Sequence, residues 1–491
     1  MITFLLCLTA LVAAYFLYGR FLERICDIDD THPVPSQTRF DGVDYLPLPR
    51  WKVFLIQLLN IAGLGPIFGA VLGAAYGPVA FLWITLGGIF LGGMHDMVSG
   101  VIILKRGGVS LPEVVGDLLG TRVKNFMRLF SVVLMLLVGV VFLSQPTALI
   151  VHRIGASPLD GTAFGSYSWC YLLVMGAILV YYVLATMLPV DKIIGKLYPV
   201  FGAVLLVMAA GILGVLLFRS GRYAIPELTS LRNGIADPHA FPLLPMLFTT
   251  IACGAISGFH ATQSPLMARC LERESQCRPV FYGSMITESI IALIWAAIAM
   301  AFWGGVGGLN EAIARYGGNA SVLIDRIATD TLGGPVATLV IFGVIACAIT
   351  SGDTAFRSAR LIIADFTGLD QRHLRKRLCI CLPLFAVALL TIFALPFQTL
   401  WSYFAWTNQT LAAIVLWMIT VWLFRNRKPY GVALLPALFM TYVCTSYIFV
   451  SPLMCGMSNR PAAYLLGAAA TTAIGLLILL EQRYHEKGIR P

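Results

Sequence analysis

Long apolar runs separated by short polar turns fill almost the whole chain, and their lengths predict helices that cross a bilayer. A span needs about 20 largely apolar residues. Thirteen such runs are read at 2–18, 53–75, 79–103, 125–151, 168–188, 197–218, 242–262, 280–303, 334–350, 378–396, 399–424, 430–450 and 461–480. Only Tyr76, Gly77 and Pro78 separate the second run from the third. The first run, Ile2 to Tyr18, has no basic leader and no small-residue cleavage pattern, so it is read as a retained span. Two connections are long: 19–52, with acids and prolines, and 304–333, with glycines and a short helix expected over 319–330. Segments 110–120 and 264–278 are expected to form short interfacial helices.

Charge tests this count. The odd-numbered connections and the C-terminal tail hold 27 of the 34 Lys and Arg residues. A wrong number of spans would scramble that alternation. The bias predicts an N-terminus outside and a C-terminus in the cytoplasm. Arg372, Arg375, Lys376 and Arg377 then serve as a cytoplasmic anchor. With 58% hydrophobic and 12% charged residues and a mean hydropathy of +0.84, the chain reads as an all-α polytopic membrane protein without a sizeable soluble domain. The net charge of +10 is scattered over connections, which fits anionic lipid and argues against nucleic acid. The eleven cysteines are dispersed; Cys379 and Cys381 form only a C-x-C, so neither zinc spacing nor a metal site is expected.

Two runs carry helix breakers at membrane depth. Residues 60–70, NIAGLGPIFGA, include Asn60, Gly63, Gly65, Pro66 and Gly69. In water each interior glycine costs a helix about 1 kcal/mol and each proline about 3, and lipid offers the freed N–H and C=O groups nothing. Residues 249–265, TTIACGAISGFHATQSP, include Gly254, Ser257, Gly258, His260 and Gln263. Either stretch alone could be close packing of small residues. Together, five spans apart and therefore running in opposite directions, they point to paired discontinuous helices around a solute site. Loose N–H ends suit a carboxylate; loose C=O ends suit a cation or an amine.

Polar residues in other spans add candidates for proton or ion handling. His95 and Asp96 lie in the third run, where a central carboxylate costs about 2.5–3.5 kcal/mol. They read either as a proton or solute site or as a local ion pair. Thr350, Ser351 and Asp353 end the ninth run. They read as an oxygen cage for a cation, or as a helix end in which Asp353 pairs with Arg357 and Arg360. Lys196, at the start of the sixth run, either snorkels to the interface or stands in for a bound cation. Glu288 in the eighth run lacks an evident partner. His260 is either a solute contact or a hydrogen-bonded core histidine.

IAGLGP, GGMHD, ACGAISGFHATQSPLMARC and TSGDTAFRSARLIIAD resemble the carbon starvation protein A family of bacterial inner-membrane permeases, over roughly residues 40–370. The resemblance implies a core of two inverted five-helix repeats, as in the amino-acid–polyamine–cation superfamily. On that basis, 1–52 would be an extra span and connector, 53–218 the first repeat, 219–424 the second, and 425–491 C-terminal spans and tail. It also implies that the second and seventh runs are the first and sixth core helices. The ninth would be the eighth, where hydroxyls often hold a coupling sodium. The sixth would be the fifth, where proton-coupled relatives place a lysine. Two features depart from the family: Ile56 and Gln57 stand where many members carry a pair of histidines, and the chain is short for the family.

The expected function is a secondary transporter taking up small peptides across the bacterial inner membrane during nutrient starvation, with no cofactor beyond a coupling proton or sodium ion. Pyruvate or another short monocarboxylate is the alternative substrate that the resemblance allows. An enzyme is not expected, since neither HExxH nor GxSxG occurs. Nothing in the sequence sets an oligomeric state.

Overall fold

The computed structural model describes residues 1–42, 45–159, 167–187, 190–219, 221–369 and 373–486; for 187, 190–197, 335 and 483–486 it describes the backbone alone. Among these residues there is no strand. The helices are α1 (Ile2–Ile25), α2 (Arg50–Ala62), α3 (Gly65–Tyr76), α4 (Val79–Lys105), α5 (Leu111–Leu119), α6 (Thr121–Arg153), α7 (Trp169–Met187), α8 (Val190–Phe218) and α9 (Leu243–Thr250). They continue as α10 (Gly258–Ala268), α11 (Glu274–Phe302), α12 (Val306–Arg315), α13 (Ala320–Leu332), α14 (Gly334–Thr367), α15 (Leu374–Ala394), α16 (Phe397–Arg425), α17 (Gly431–Val450) and α18 (Arg460–Glu486).

Among the described residues, eleven helices are individually long and apolar enough to cross a membrane. The second expected span is the pair α2 and α3, bent by 54° at its break. The seventh is α9 and α10, with residues 251–257 outside either helix. All thirteen runs therefore correspond to helical segments, two of them interrupted where glycine and proline concentrate. The interfacial helix expected over 110–120 is α5, and the one over 319–330 is α13. Residues 264–278 differ. The second half of the broken span continues through Pro265 to Ala268, and Glu274–Gln276 forms the tight first turn of α11, so no separate interfacial helix lies between them. A helix restarted at Gly258 carries Pro265 beyond its first turn, where the missing N–H merely bends it.

The ninth run also ends later than its hydropathy suggests. α14 is 34 residues long, starting after Gly333 and stopping at the left-handed Gly368. At 1.5 Å per residue it extends about 50 Å. Thr350 to Arg360 thus lie within the helix, buried against the bundle instead of capping its end. Most of α4, α11 and α16 is buried, whereas α1, α7, α15 and α18 turn Leu6, Leu173, Leu390 and Leu477 outward. Central polar-bearing helices inside a ring of leucine-bearing ones are what a bilayer selects.

Candidate functional site

The first break follows Ala62. Gly63 adopts φ 46°, a conformation that L side chains rarely take, and a Cβ there would meet the Phe142 ring at 2.6 Å. Its carbonyl accepts a bond from Cys347 Sγ at 3.3 Å, and the Leu59 carbonyl accepts one from Ser351 Oγ at 3.1 Å. The side chains of α14 thus satisfy part of the broken backbone. Asn60 and Gln57, on α2, are buried with neither amide hydrogen-bonded to any described residue.

The second break touches the first. A Cβ on Gly65 would lie 2.2 Å from the Cβ of Cys253, and one on Gly69 would lie 2.9 Å from the Thr250 carbonyl. A Cβ on Gly73 would lie 2.2 Å from the Ile251 side chain, so three glycines one turn apart pack along residues 250–253. Here too neighbours cap loose ends. Trp83 Nε1 donates to the Ile251 carbonyl at 2.9 Å, and Gln409 Nε2 donates to Phe248 at 2.9 Å. Asn408 Oδ1 accepts from the Phe259 N–H at 2.8 Å and from Ser257 Oγ at 3.1 Å, acting as an N-cap supplied by another helix.

Beside that restart, four fully buried titratable side chains form a row. His95 Nδ1 lies 2.7 Å from Asp96 Oδ1, and His260 Nδ1 lies 2.8 Å from Asp96 Oδ2. His260 Nε2 then lies 3.3 Å from Glu288 Oε2 on α11. Asp96 thus bridges two imidazoles, and Glu288 finds its partner in His260. The outer atoms of the row, His95 Nε2 and both Glu288 oxygens, make no hydrogen bond to a described residue; neither do His260 Nε2 and Gln263 Oε1. Cys253 Sγ, His260 and Glu288 offer ligand atoms within 4.8 Å of one another.

The remaining candidates sit elsewhere. Thr350 Oγ1 donates back to the Ala346 and Cys347 carbonyls at 2.9 and 3.0 Å. Tyr198 Oη donates to the Thr350 carbonyl at 3.1 Å and to Asp353 Oδ2 at 3.3 Å. Arg357 Nη2 lies 3.7 Å from that same Oδ2 and donates to the Ala185 carbonyl at 2.8 Å. Asp353 therefore pairs with Arg357, as the second reading expects, but not with Arg360, and Ser351 alone of this group reaches the first break. Lys196 lies on α8 among the side chains outside the described residues.

Cavities open near both ends of α6. One of about 550 Å³ is lined by Gln145, Tyr171, Asn319, Phe397 and Leu400. Beyond it on α16, Trp401 and Phe404 pack at 5.4 Å between ring centres, Phe404 reaches Phe142 at 6.3 Å, and Trp401 reaches Phe68 of the first break at 6.4 Å. The other, of about 140 Å³, is lined by Ser131, Thr262, Arg269, Ser358 and Asp365. Ser131 and Gln145 are about 21 Å apart along α6, so the two cavities lie well apart along the bundle.

Sequence reasoning missed Cys253 and Asn408. Cys253 was one of many dispersed cysteines. Asn408 had a signal: Thr407, Asn408 and Gln409 are consecutive polar residues inside the apolar run 399–424.

The family model for carbon starvation protein CstA matches residues 1–175, 159–329 and 306–447. A Haemophilus influenzae membrane protein is 43% identical over 64% of this chain and 94% of its own length. A Bacillus subtilis protein called peptide transporter CstA is 26% identical over 89% of this chain and 88% of its own. Escherichia coli has one of the same name at 24% identity, over 88% and 78%. The crystal structure of MhsT in complex with L-phenylalanine superposes with a TM-score of 0.53 at 14% identity, covering 88% of this chain and 99% of that one. The chain shares that fold.

Proposed function

Because the chain belongs to the carbon starvation protein CstA family, we propose that it is a proton-coupled secondary transporter that carries small peptides into the cell during nutrient starvation. The observation that carries this reading is the meeting of the two breaks, Gly65 against Cys253, beside buried polar groups that the described residues leave unpartnered. A polar group buried without a partner costs folding free energy. Groups kept in that state next to interrupted helices suit a cargo that completes them. Relatives named peptide transporter supply the substrate class.

A peptide brings an ammonium and a carboxylate. Glu288 offers acceptors to the ammonium; the amides of Asn60 and Gln57 and Gln263 offer dipoles to the remaining peptide groups. His95, Asp96 and His260 form a chain along which a proton can move, since imidazole exchanges one near neutral pH. Ser351 and Thr350 remain candidates for a sodium site and Lys196 for its proton-linked substitute, with Asp353 held by Arg357. Access alternates between the cavity at Gln145, behind the ring formed by Phe142, Trp401 and Phe404, and the cavity at Arg269. The division into inverted repeats at 53–218 and 219–424 belongs to this reading. So does placement in the bacterial inner membrane with the N-terminus outside, supported by the distribution of Lys and Arg.

Proteoliposomes with an imposed proton or sodium gradient, offered labelled dipeptide or labelled pyruvate, test it. Dipeptide accumulation driven by the proton gradient is expected. Pyruvate accumulation without dipeptide uptake would replace the substrate; a sodium requirement would replace the ion; downhill equilibration without accumulation would make the protein a channel.

A further inference from the structure

We propose that Cys253, His260 and Glu288 form a binding site for one divalent transition cation of zinc's chemistry, at the contact between the two broken spans. Their ligand atoms converge within 4.8 Å, and all three residues are buried. The pair His260 Nε2 and Glu288 Oε2 shows why convergence matters. They are 3.3 Å apart, yet neither makes a hydrogen bond to a described residue, so the two atoms are close without being aimed at each other. Two ligands about 2.0–2.1 Å from a tetrahedral zinc ion lie about 3.3–3.4 Å apart. The separation is that of one edge of such a shell.

The surroundings complete the chemistry. Asp96 Oδ2 accepts from His260 Nδ1 at 2.8 Å, which leaves the lone pair on Nε2. A carboxylate that fixes the tautomer in this way is the usual support of a metal-bound histidine. Asn408 Nδ2 donates to Cys253 Sγ at 3.6 Å, and the sulfur lies 3.7 Å from Ser257 Oγ, so two polar neighbours fix its position. A thiolate, a carboxylate and a neutral imidazole balance a doubly charged ion, and the one further buried charge, Asp96, is hydrogen-bonded to two imidazoles. Sulfur, nitrogen and oxygen donors favour zinc over magnesium or calcium. Three protein ligands leave a tetrahedral ion one open position. In the transporter proposed above, that position would take the carboxylate of the cargo, while Glu288 Oε1, which does not face His260, stays open to its ammonium; this role rests on that reading, whereas the metal site itself does not.

The test uses purified full-length protein in detergent with Cys379→Ser and Cys455→Ser, which remove the two exposed thiols. Zinc chloride is added, excess is removed, and bound metal is measured by elemental analysis. One zinc per chain is expected, with affinity reduced 10–100-fold by Asp96→Asn. Cobalt chloride in place of zinc should give a thiolate-to-cobalt absorption band that Cys253→Ser abolishes. Zinc retained equally by the Cys253→Ser/Glu288→Gln double variant, or a cobalt spectrum without the thiolate band, would overturn the site; the second readout needs no folded variant. Metal bound without peptide uptake would overturn the transporter reading alone. Uptake by protein that binds no zinc would overturn the site alone.

Discussion

Asp96 and Asp353 are both fully buried carboxylates in the middle of the bundle, and their surroundings differ in kind. Asp353 is held by an arginine four residues along its own helix and by the Tyr198 hydroxyl. Asp96 faces two imidazoles on different helices, and the second leads to another carboxylate. A fixed guanidinium gives one charge state at any accessible pH. The first arrangement ties α14 to α8 and the chain before it. The second joins α4, α10 and α11 through one row of side chains beside the breaks.

Removing Arg357 should give the largest effect. Arg357→Ala leaves Asp353 buried without its cation, and breaking one side of a buried pair costs about 3–5 kcal/mol. Adding Asp353→Asn should restore most of that loss. Denaturation of the detergent-solubilised protein reads both. A single variant within about 1 kcal/mol of wild type would make Asp353 something other than a strut. Asp96→Asn should act on transport instead. Two charge-assisted bonds depend on that carboxylate. Losing the charge should cost about 3 kcal/mol, roughly a hundred-fold in the initial rate of uptake, with insertion intact. If Asp353→Asn lowers uptake as much as Asp96→Asn, the distinction between the two carboxylates fails.

The same contrast shows what a sequence can and cannot disclose. Gly63, Gly65 and Pro66, and Gly254 and Gly258, announce their breaks because helix propensity and membrane depth are local properties. That the breaks touch, and that Asp96 sits between His95 and His260, depends on the packing of α4 against α10, which no local pattern encodes. Glu288 could be recognised as costly but not given a partner. Hydropathy places Thr350 and Ser351 near the end of a span, because it drops at SGDTAFRSAR; the helix runs on because that stretch faces protein and lacks a proline. Cys253 gave no sign at all, since a buried cysteine is ordinary in sequence and becomes notable only beside His260 and Glu288.

Gly65→Ala probes the contact itself, at about 1–3 kcal/mol. The added methyl would sit 2.2 Å from Cys253 Cβ and 2.3 Å from its sulfur, so both breaks must shift. Uptake should fall more than the melting temperature suggests, because the displaced residue adjoins His260. Cys253→Gly in the same chain should recover part of the stability. Gly176→Ala, with nothing within 4 Å of the new Cβ, is the matched control. Equal behaviour of the two alanine variants would separate the breaks.

A water-facing carboxylate completes the series and should matter least. Glu113 on α5 is bonded by Lys124 and, at 2.6 Å, by Arg128, both on α6. Lys124 chiefly, and Arg128 after it, hold its carboxyl below the usual glutamate range, against partial burial. The folded state therefore binds this proton less readily than the unfolded chain. The stabilisation is complete above the unfolded value, about 4.3, and is lost as pH falls through the lower folded one. With the carboxylate more than a third exposed, solvent limits it to at most about 1 kcal/mol. Glu113→Gln should thus melt slightly below wild type at pH 7, and the gap should close in acid or in high salt. A gap that widens on acidification would mean that Glu113 is held as a neutral acid instead of a carboxylate.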